Sequence, residues 1–164
     1  MAFSLRSLLP ALMASLLLVV AAPRPAAAAP AEAAPQRWVL RDQSDRSWGL
    51  TLFSQPDPAY PSGWRLRLSA RSPGLAVDHE RPLTLQDGMG SAWSLPNRSA
   101  ELVPWGETGL PAASGQFDAA ALEPRPSEAL PLRLEVPLDD GASTGITLEP
   151  EVVAALHGLP AEAG

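Results

Sequence analysis

Proline is spread so densely along this chain that it decides the fold class before any other residue is considered. Of the 19 prolines, four precede residue 34 and the rest recur from Pro35 to Pro160. Each lacks an N–H and crowds the preceding helical turn, so no long helix is available through the first two thirds of that stretch. Between the prolines the hydrophobic period is two. Trp64, Leu66, Leu68 and Ala70 alternate with Arg65, Arg67 and Ser69, the pattern of a strand with one dry and one wet face. Leu130, Leu132, Leu134, Val136 and Leu138 alternate in the same way with Pro131, Arg133, Glu135 and Pro137. The two prolines predict that this second run is an edge strand or pairs only through its middle.

Five shorter segments read as strands because Asp, Gly, Ser or Pro bounds each of them: Trp38 to Arg41, Trp48 to Phe53, Pro82 to Leu85, Ala92 to Leu95 and Ile146 to Leu148. Gln43-Ser44-Asp45-Arg46 predicts a hairpin between the first two, and Asp139-Asp140-Gly141 is the clearest turn in the chain. Two helical stretches are expected late. Asp118 caps a short turn through Ala119 to Leu122, stopped by Pro124. Pro150 starts the second, in which Val152, Val153, Leu156 and Leu159 form one apolar stripe and Gly158 ends it. The fold expected is mainly β: a small antiparallel β-sandwich or barrel of about seven short strands, with a C-terminal helix packed on it.

Residues 1–33 read as a signal peptide with an Ala/Pro-rich cleavage region, and 34–164 as a single β-rich domain. Arg6 is the positive start, and Leu8 to Ala22 is an apolar run of 15 residues, short of the roughly 20 needed to span a bilayer. Pro23-Arg24-Pro25 closes the run, and Ala26-Ala27-Ala28 or Ala31-Glu32-Ala33 supplies the small residues for cleavage. No integral membrane span is expected after cleavage.

Composition then removes whole classes of chemistry. All twelve basic residues are arginine, and the chain contains no cysteine. Thiol nucleophiles, disulfides, Cys-ligated metals, Schiff-base lysines and the lysine of a phosphate-binding loop are therefore excluded. A formal net charge of -6 also argues against nucleic acid as a partner.

Few residues remain that could carry a site. Asp78-His79-Glu80 is the one place where acids and a histidine adjoin, but in an extended strand His79 points away from both neighbours. It is a weak polar-site candidate. His157 falls in the last turn of the expected helix and reads as a cap. No Gly-x-Ser-x-Gly elbow occurs, and Gly88-Met89-Gly90 lacks the helix and lysine of a phosphate loop and reads as a turn. Asn97-Arg98-Ser99 matches the N-glycosylation triplet, which matters only in a eukaryotic secretory pathway. No metal and no cofactor is expected. Of the five tryptophans, Trp48 and Trp64 sit in strand patterns and are expected in the core. Trp105 lies in Val103-Pro104-Trp105-Gly106-Glu107, where no alternation buries it, so it is the candidate partner contact, with a plug over the core as the other reading.

Taken in order, Leu40-Arg41-Asp42-Gln43, Ser47-Trp48, Leu66-Arg67-Leu68, Pro73-Gly74, Val77-Asp78-His79, Pro82-Leu83, Gly88-Met89-Gly90 and Gly115-Gln116-Phe117-Asp118 resemble a family of exported cyanobacterial proteins of unknown function. The resemblance implies the periplasm or thylakoid lumen and carries no activity with it. The function expected is a non-enzymatic exported domain that binds a protein partner as an accessory or assembly factor. The alternative is a small β-barrel holding an apolar ligand, a lipid or pigment.

Overall fold

The computed structural model describes residues 34–160. The expected leader and its cleavage sites lie outside the described residues.

Eight strands form two four-stranded antiparallel sheets. The first holds β1 (Gln36–Arg41), β2 (Ser47–Ser54), β3 (Trp64–Ala70) and β6 (Ser114–Asp118), in the order β1-β2-β3-β6. The second holds β4 (Leu83–Asp87), β5 (Ala92–Leu95), β7 (Leu132–Pro137) and β8 (Ser143–Thr147), in the order β5-β4-β7-β8. Helix α1 covers Pro150–His157. The architecture is a sandwich. The barrel expected as its alternative does not form, because each sheet keeps its own edges and the space between them is filled by side chains.

Period-two patterning explains the core. Trp48, Leu50 and Leu52 on β2, Leu66 and Leu68 on β3, and Leu83 and Leu85 on β4 turn inward. They meet Leu132, Leu134 and Val136 of β7 and Ile146 of β8 in one cluster. Each such side chain contributes about 1.5–3 kcal/mol when fully buried. The stripe expected on α1 joins this cluster through Val152, Val153 and Leu156, with Leu159 just beyond. Gly141 adopts φ +85° in the β7–β8 hairpin, where a side chain would be strained. The Gln43–Arg46 hairpin also forms, with Asp45 taking φ +60°.

Of the two readings of the run from Leu130 to Leu138, the edge strand fails and pairing through the middle holds: β7 is an interior strand that pairs with β4 and β8 over Leu132–Pro137, because Pro131 falls before the strand and Pro137 at its last position. Two expectations change. β6 is an additional strand. Its buried Gly115, Gln116 and Phe117 run consecutively, so no alternation marks it. A side chain at Gly115 would collide with Val77, which is why this strand carries a glycine that reads as loop. Finally, the wet face of β3 is not wet at Arg65, which is 1% exposed.

Candidate functional site

The outer face of the first sheet is roofed at one end by chain from the β2–β3 loop and from the segment between β5 and β6. Arg65 and Glu101 make this possible. Two guanidinium nitrogens of Arg65 donate to the Glu101 carboxylate at 2.8 and 3.1 Å, and both side chains are almost wholly buried. Gln55 and Gln116 donate to the same carboxylate at 2.6 and 2.7 Å. Arg65 also donates to the Pro61 carbonyl at 2.7 Å and lies 3.5 Å from Asp118. A buried ion pair is tolerable only when its remaining donors and acceptors are satisfied, and here every buried side-chain polar atom among the described residues has a partner. The network seats the 3₁₀ turn Ser99–Leu102 on β3 and β6.

On that base stands Trp105. The Glu107 N–H donates to the Pro104 carbonyl at 3.0 Å, and Gly106 adopts φ +85°, so Pro104 to Glu107 form a turn with glycine at the position that requires positive φ. Trp105 occupies the corner and is 74% exposed, which rules out the core-plug reading. Its ring lies 5.6 Å from that of Tyr60 at a 52° tilt. The Tyr60 hydroxyl donates to the carbonyls of Val103 at 2.7 Å and Ala100 at 3.2 Å. Burial, together with the charges of Asp57, Glu101 and Glu107, raises the phenol above its ordinary pKa, so it remains a donor at neutral pH. Sequence reasoning found Trp105 and missed Tyr60, Arg65, Glu101 and Gln116. An arginine on a polar strand face and a lone Glu in a loop give no sign that they meet.

Asp78, His79 and Glu80 are not brought together. The chain bends there, and Asp78 accepts the backbone N–H groups of Glu80 and Arg81 at 2.8 and 3.0 Å and the Arg81 side chain at 2.8 Å. Those bonds, Arg81 first, hold its carboxyl down at about 2. His79 Nε2 donates to the Ser114 carbonyl at 2.9 Å and contacts neither acid. Arg81 continues to the carbonyls of Leu138 and Ala142, both at 2.7 Å, so the segment is a strap onto the β7–β8 turn. The Asn97 amide donates to Asp78 and Arg81 carbonyls and is engaged in the same strap. His157 lies in the last turn of α1, but its Nδ1 meets the Pro126 carbonyl at 2.8 Å, tying the helix to the loop before β7 rather than capping its own carbonyls. Gly88–Gly90 form the β4–β5 turn, with Gly90 at φ +99°. Among the described residues no helix is long and apolar enough to cross a membrane.

A model of a family described as a protein of unknown function, DUF3122, matches residues 26–157. The chain belongs to DUF3122. The match takes in all eight strands and the helix. No curated protein matches the chain, and no solved structure does. Several of the motifs that suggested a family sit at joints of this DUF3122 fold. Asp42, its side chain fully buried, accepts from the backbone of Ser44 and Arg46, from the Arg46 guanidinium, from the Trp48 indole at 3.1 Å and from the Thr144 hydroxyl at 3.0 Å. Burial alone would raise its pKa; the hydrogen bonds, Arg46 N–H foremost, outweigh it and leave the carboxyl at about 2. Because Thr144 belongs to β8, this one carboxylate joins the DUF3122 hairpin β1–β2 to the second sheet. Gly115 to Asp118 lie in β6, the strand on which the roofing segment is seated.

Proposed function

We propose that this chain is an exported, non-enzymatic domain that binds another protein, acting as an accessory or assembly factor in the periplasm or thylakoid lumen of a cyanobacterium. The observation that carries the reading is Trp105: a large aromatic, 74% exposed at the corner of a tight turn whose base is fixed by the buried Arg65–Glu101 pair. An exposed indole on a rigid support loses little conformational freedom on binding, and tryptophan is enriched among residues that dominate interface energies. Export is supported by the apolar run Leu8 to Ala22, and the non-enzymatic reading by Asp78 and His79, whose side chains are spent on bonds to the backbone and to Arg81 instead of to one another.

The test is capture from thylakoid and periplasmic fractions by tagged wild-type protein and by Trp105→Ala. A specific partner enriched by the wild type, with binding weakened by more than about 1 kcal/mol in the variant, is the expected result. If neither fraction yields a protein above the tag control, or the variant captures as much as the wild type, the proposal fails.

A further inference from the structure

Within the described residues, Arg41, Arg46, Arg65, Arg81, Arg98, Arg125 and Arg133 each have a carboxylate within 4.0 Å. Arg37, Arg67 and Arg71 have none among those residues, and all three lie on the outer face of the first sheet. Arg37 pairs with Thr51 across β1 and β2, and Thr51 with Arg67 across β2 and β3, so the three side chains form one row across the sheet. Two strand spacings put the arginine Cα atoms about 10 Å apart, and long side chains can converge over that span. Arg71 lies along the same face over Gly49, whose missing side chain leaves room for it. In a chain of net charge -6, the arginines that lack a carboxylate within 4.0 Å among the described residues are thus gathered on one surface.

The row has a cavity beside it. Arg37, Thr51, Arg67 and Gln55, whose amide is engaged with Glu101, give its polar side and Phe53, Pro35 and Pro56 its apolar side, around a volume of about 230 Å³. Phe53 is outside the core cluster: it points away from the sandwich interior, is 9% exposed, and has the Arg67 guanidinium 4.9 Å from its ring centroid. Arg67 donates Nε and Nη2 to one oxygen of Gln116, at 3.0 and 2.7 Å, and neither bond uses Nη1. Burial disfavours its charge and lowers its pKa, and the negative field of Glu101 offsets only part of that. A half-buried guanidinium whose nearest partner is a neutral amide gains more from an arriving oxyanion than an exposed one does. Two other clefts lack this combination: in one, of about 210 Å³, the arginine is Arg133, already paired with Glu135, and the other, of about 180 Å³, is lined by no cation.

We propose that this cavity binds a carboxylate, held between Arg37 and Arg67 over Thr51, with the apolar body of the ligand against Phe53, Pro35 and Pro56. It is a site separate from Trp105 and stands whether or not that residue contacts a partner. The carboxylate can come from a free organic acid or from the C-terminus of a peptide.

Titration of the ¹⁵N-labelled protein with benzoate, with a short apolar peptide bearing a free C-terminus, with the same peptide amidated, and with inorganic phosphate tests this. Saturable shifts at Arg37, Thr51 and Arg67 are expected with benzoate or the free-acid peptide at millimolar concentration, and not with the amidated peptide. Binding by benzoate alone assigns the free acid, and binding by the peptide alone or more tightly assigns the C-terminus. Arg67→Gln should weaken the interaction about tenfold, the scale of a lost charge-assisted pair. Arg37→Gln, at an exposed position on an edge strand, should weaken it with the folding midpoint unchanged, which keeps the test valid if Arg67→Gln folds poorly. Absence of saturable shifts with both carboxylates overturns the proposal. So do shifts that persist in Arg37→Gln, that follow the amidated peptide equally, or that appear as strongly with phosphate.

Discussion

Arg65 and Arg67 sit two residues apart on one strand and face the same way, yet their surroundings are opposite. Arg65 is sealed beneath the loop that carries Trp105, with Glu101 and Asp118 at hand and all three guanidinium nitrogens hydrogen-bonded. Arg67 is half-buried beside an open cavity, with a glutamine oxygen and a phenyl ring for company. The difference teaches that strand polarity does not distinguish a structural cation from an available one. What decides is whether another segment delivers a carboxylate into hydrogen-bond contact at that position: Glu101, between β5 and β6, bonds Arg65 directly, whereas it reaches Arg67 only through its field and through Gln116.

The comparison breaks most visibly at Glu101. Glu101→Ala should leave Arg65 buried without its bidentate partner, only Asp118 at 3.5 Å remaining, and cost about 3 kcal/mol, read as a fall in urea midpoint. The double variant Arg65→Met/Glu101→Leu should recover only part of that loss, since it removes the buried charge but leaves the Gln116 amide without its acceptor. A single variant that is as stable as the wild type would mean that the pair does not hold the roof.

Asp42 sharpens the comparison from the acidic side, because it is the carboxylate at the other end of the fold that is surrounded by donors. Asp42→Ala should cost about 3 kcal/mol by orphaning the Trp48 indole and Thr144 hydroxyl. The pH dependence follows from the direction of the shift. Both Asp42 and Asp78 have folded-state pKa values of about 2, below the ordinary 3.8. Their contribution is therefore complete above the ordinary value and is lost as pH falls through about 4 towards 2. Acid titration of stability should show this slope in the wild type, and a shallower one in Asp42→Asn.

Smaller effects are expected where the side chains are available. Arg67→Met should lower stability by about 1–3 kcal/mol, through the lost cation–π contact and the buried Gln116 oxygen left without its donor. A loss larger than that of Glu101→Ala would place Arg67 among the structural cations. Trp105→Ala should leave the urea midpoint within about 0.5 kcal/mol of the wild type, as exposed positions do. A larger fall would tie the indole to the fold through Tyr60 and remove it as a free contact surface.

Much of the sandwich was legible in advance. Alternation gives Trp64–Ala70 and the bounding turn residues give Ala92–Leu95, both with the boundaries the structure has, and helical spacing gives the α1 stripe. Trp48 is fully buried as its pattern implies, whereas Trp64, at the end of its strand, is only partly so. β6 escaped because Gly115 and Gln116 carry loop and surface signals, and only the neighbours explain them: Val77 fills the space over Gly115, and Ser99, Arg67 and Glu101 satisfy Gln116. Trp105 was legible as exposed because a Pro/Gly turn offers no periodic face to bury. Its support was not, since Tyr60 and Glu101 lie more than thirty residues from the groups they bind across the two loops or on β3.

By itself, then, the sequence determined what is local: proline excludes long helices, period two makes strands, Gly141 permits its turn, and the absence of Lys and Cys removes whole chemistries. Tertiary structure decided which polar residues would be dry. The loop that covers β3 meets it through a carboxylate 36 residues away in the chain, and spacing over that distance constrains nothing. Burial of a charge depends on the partner brought to it, and that partner is chosen by packing of the whole domain rather than by any neighbour in sequence.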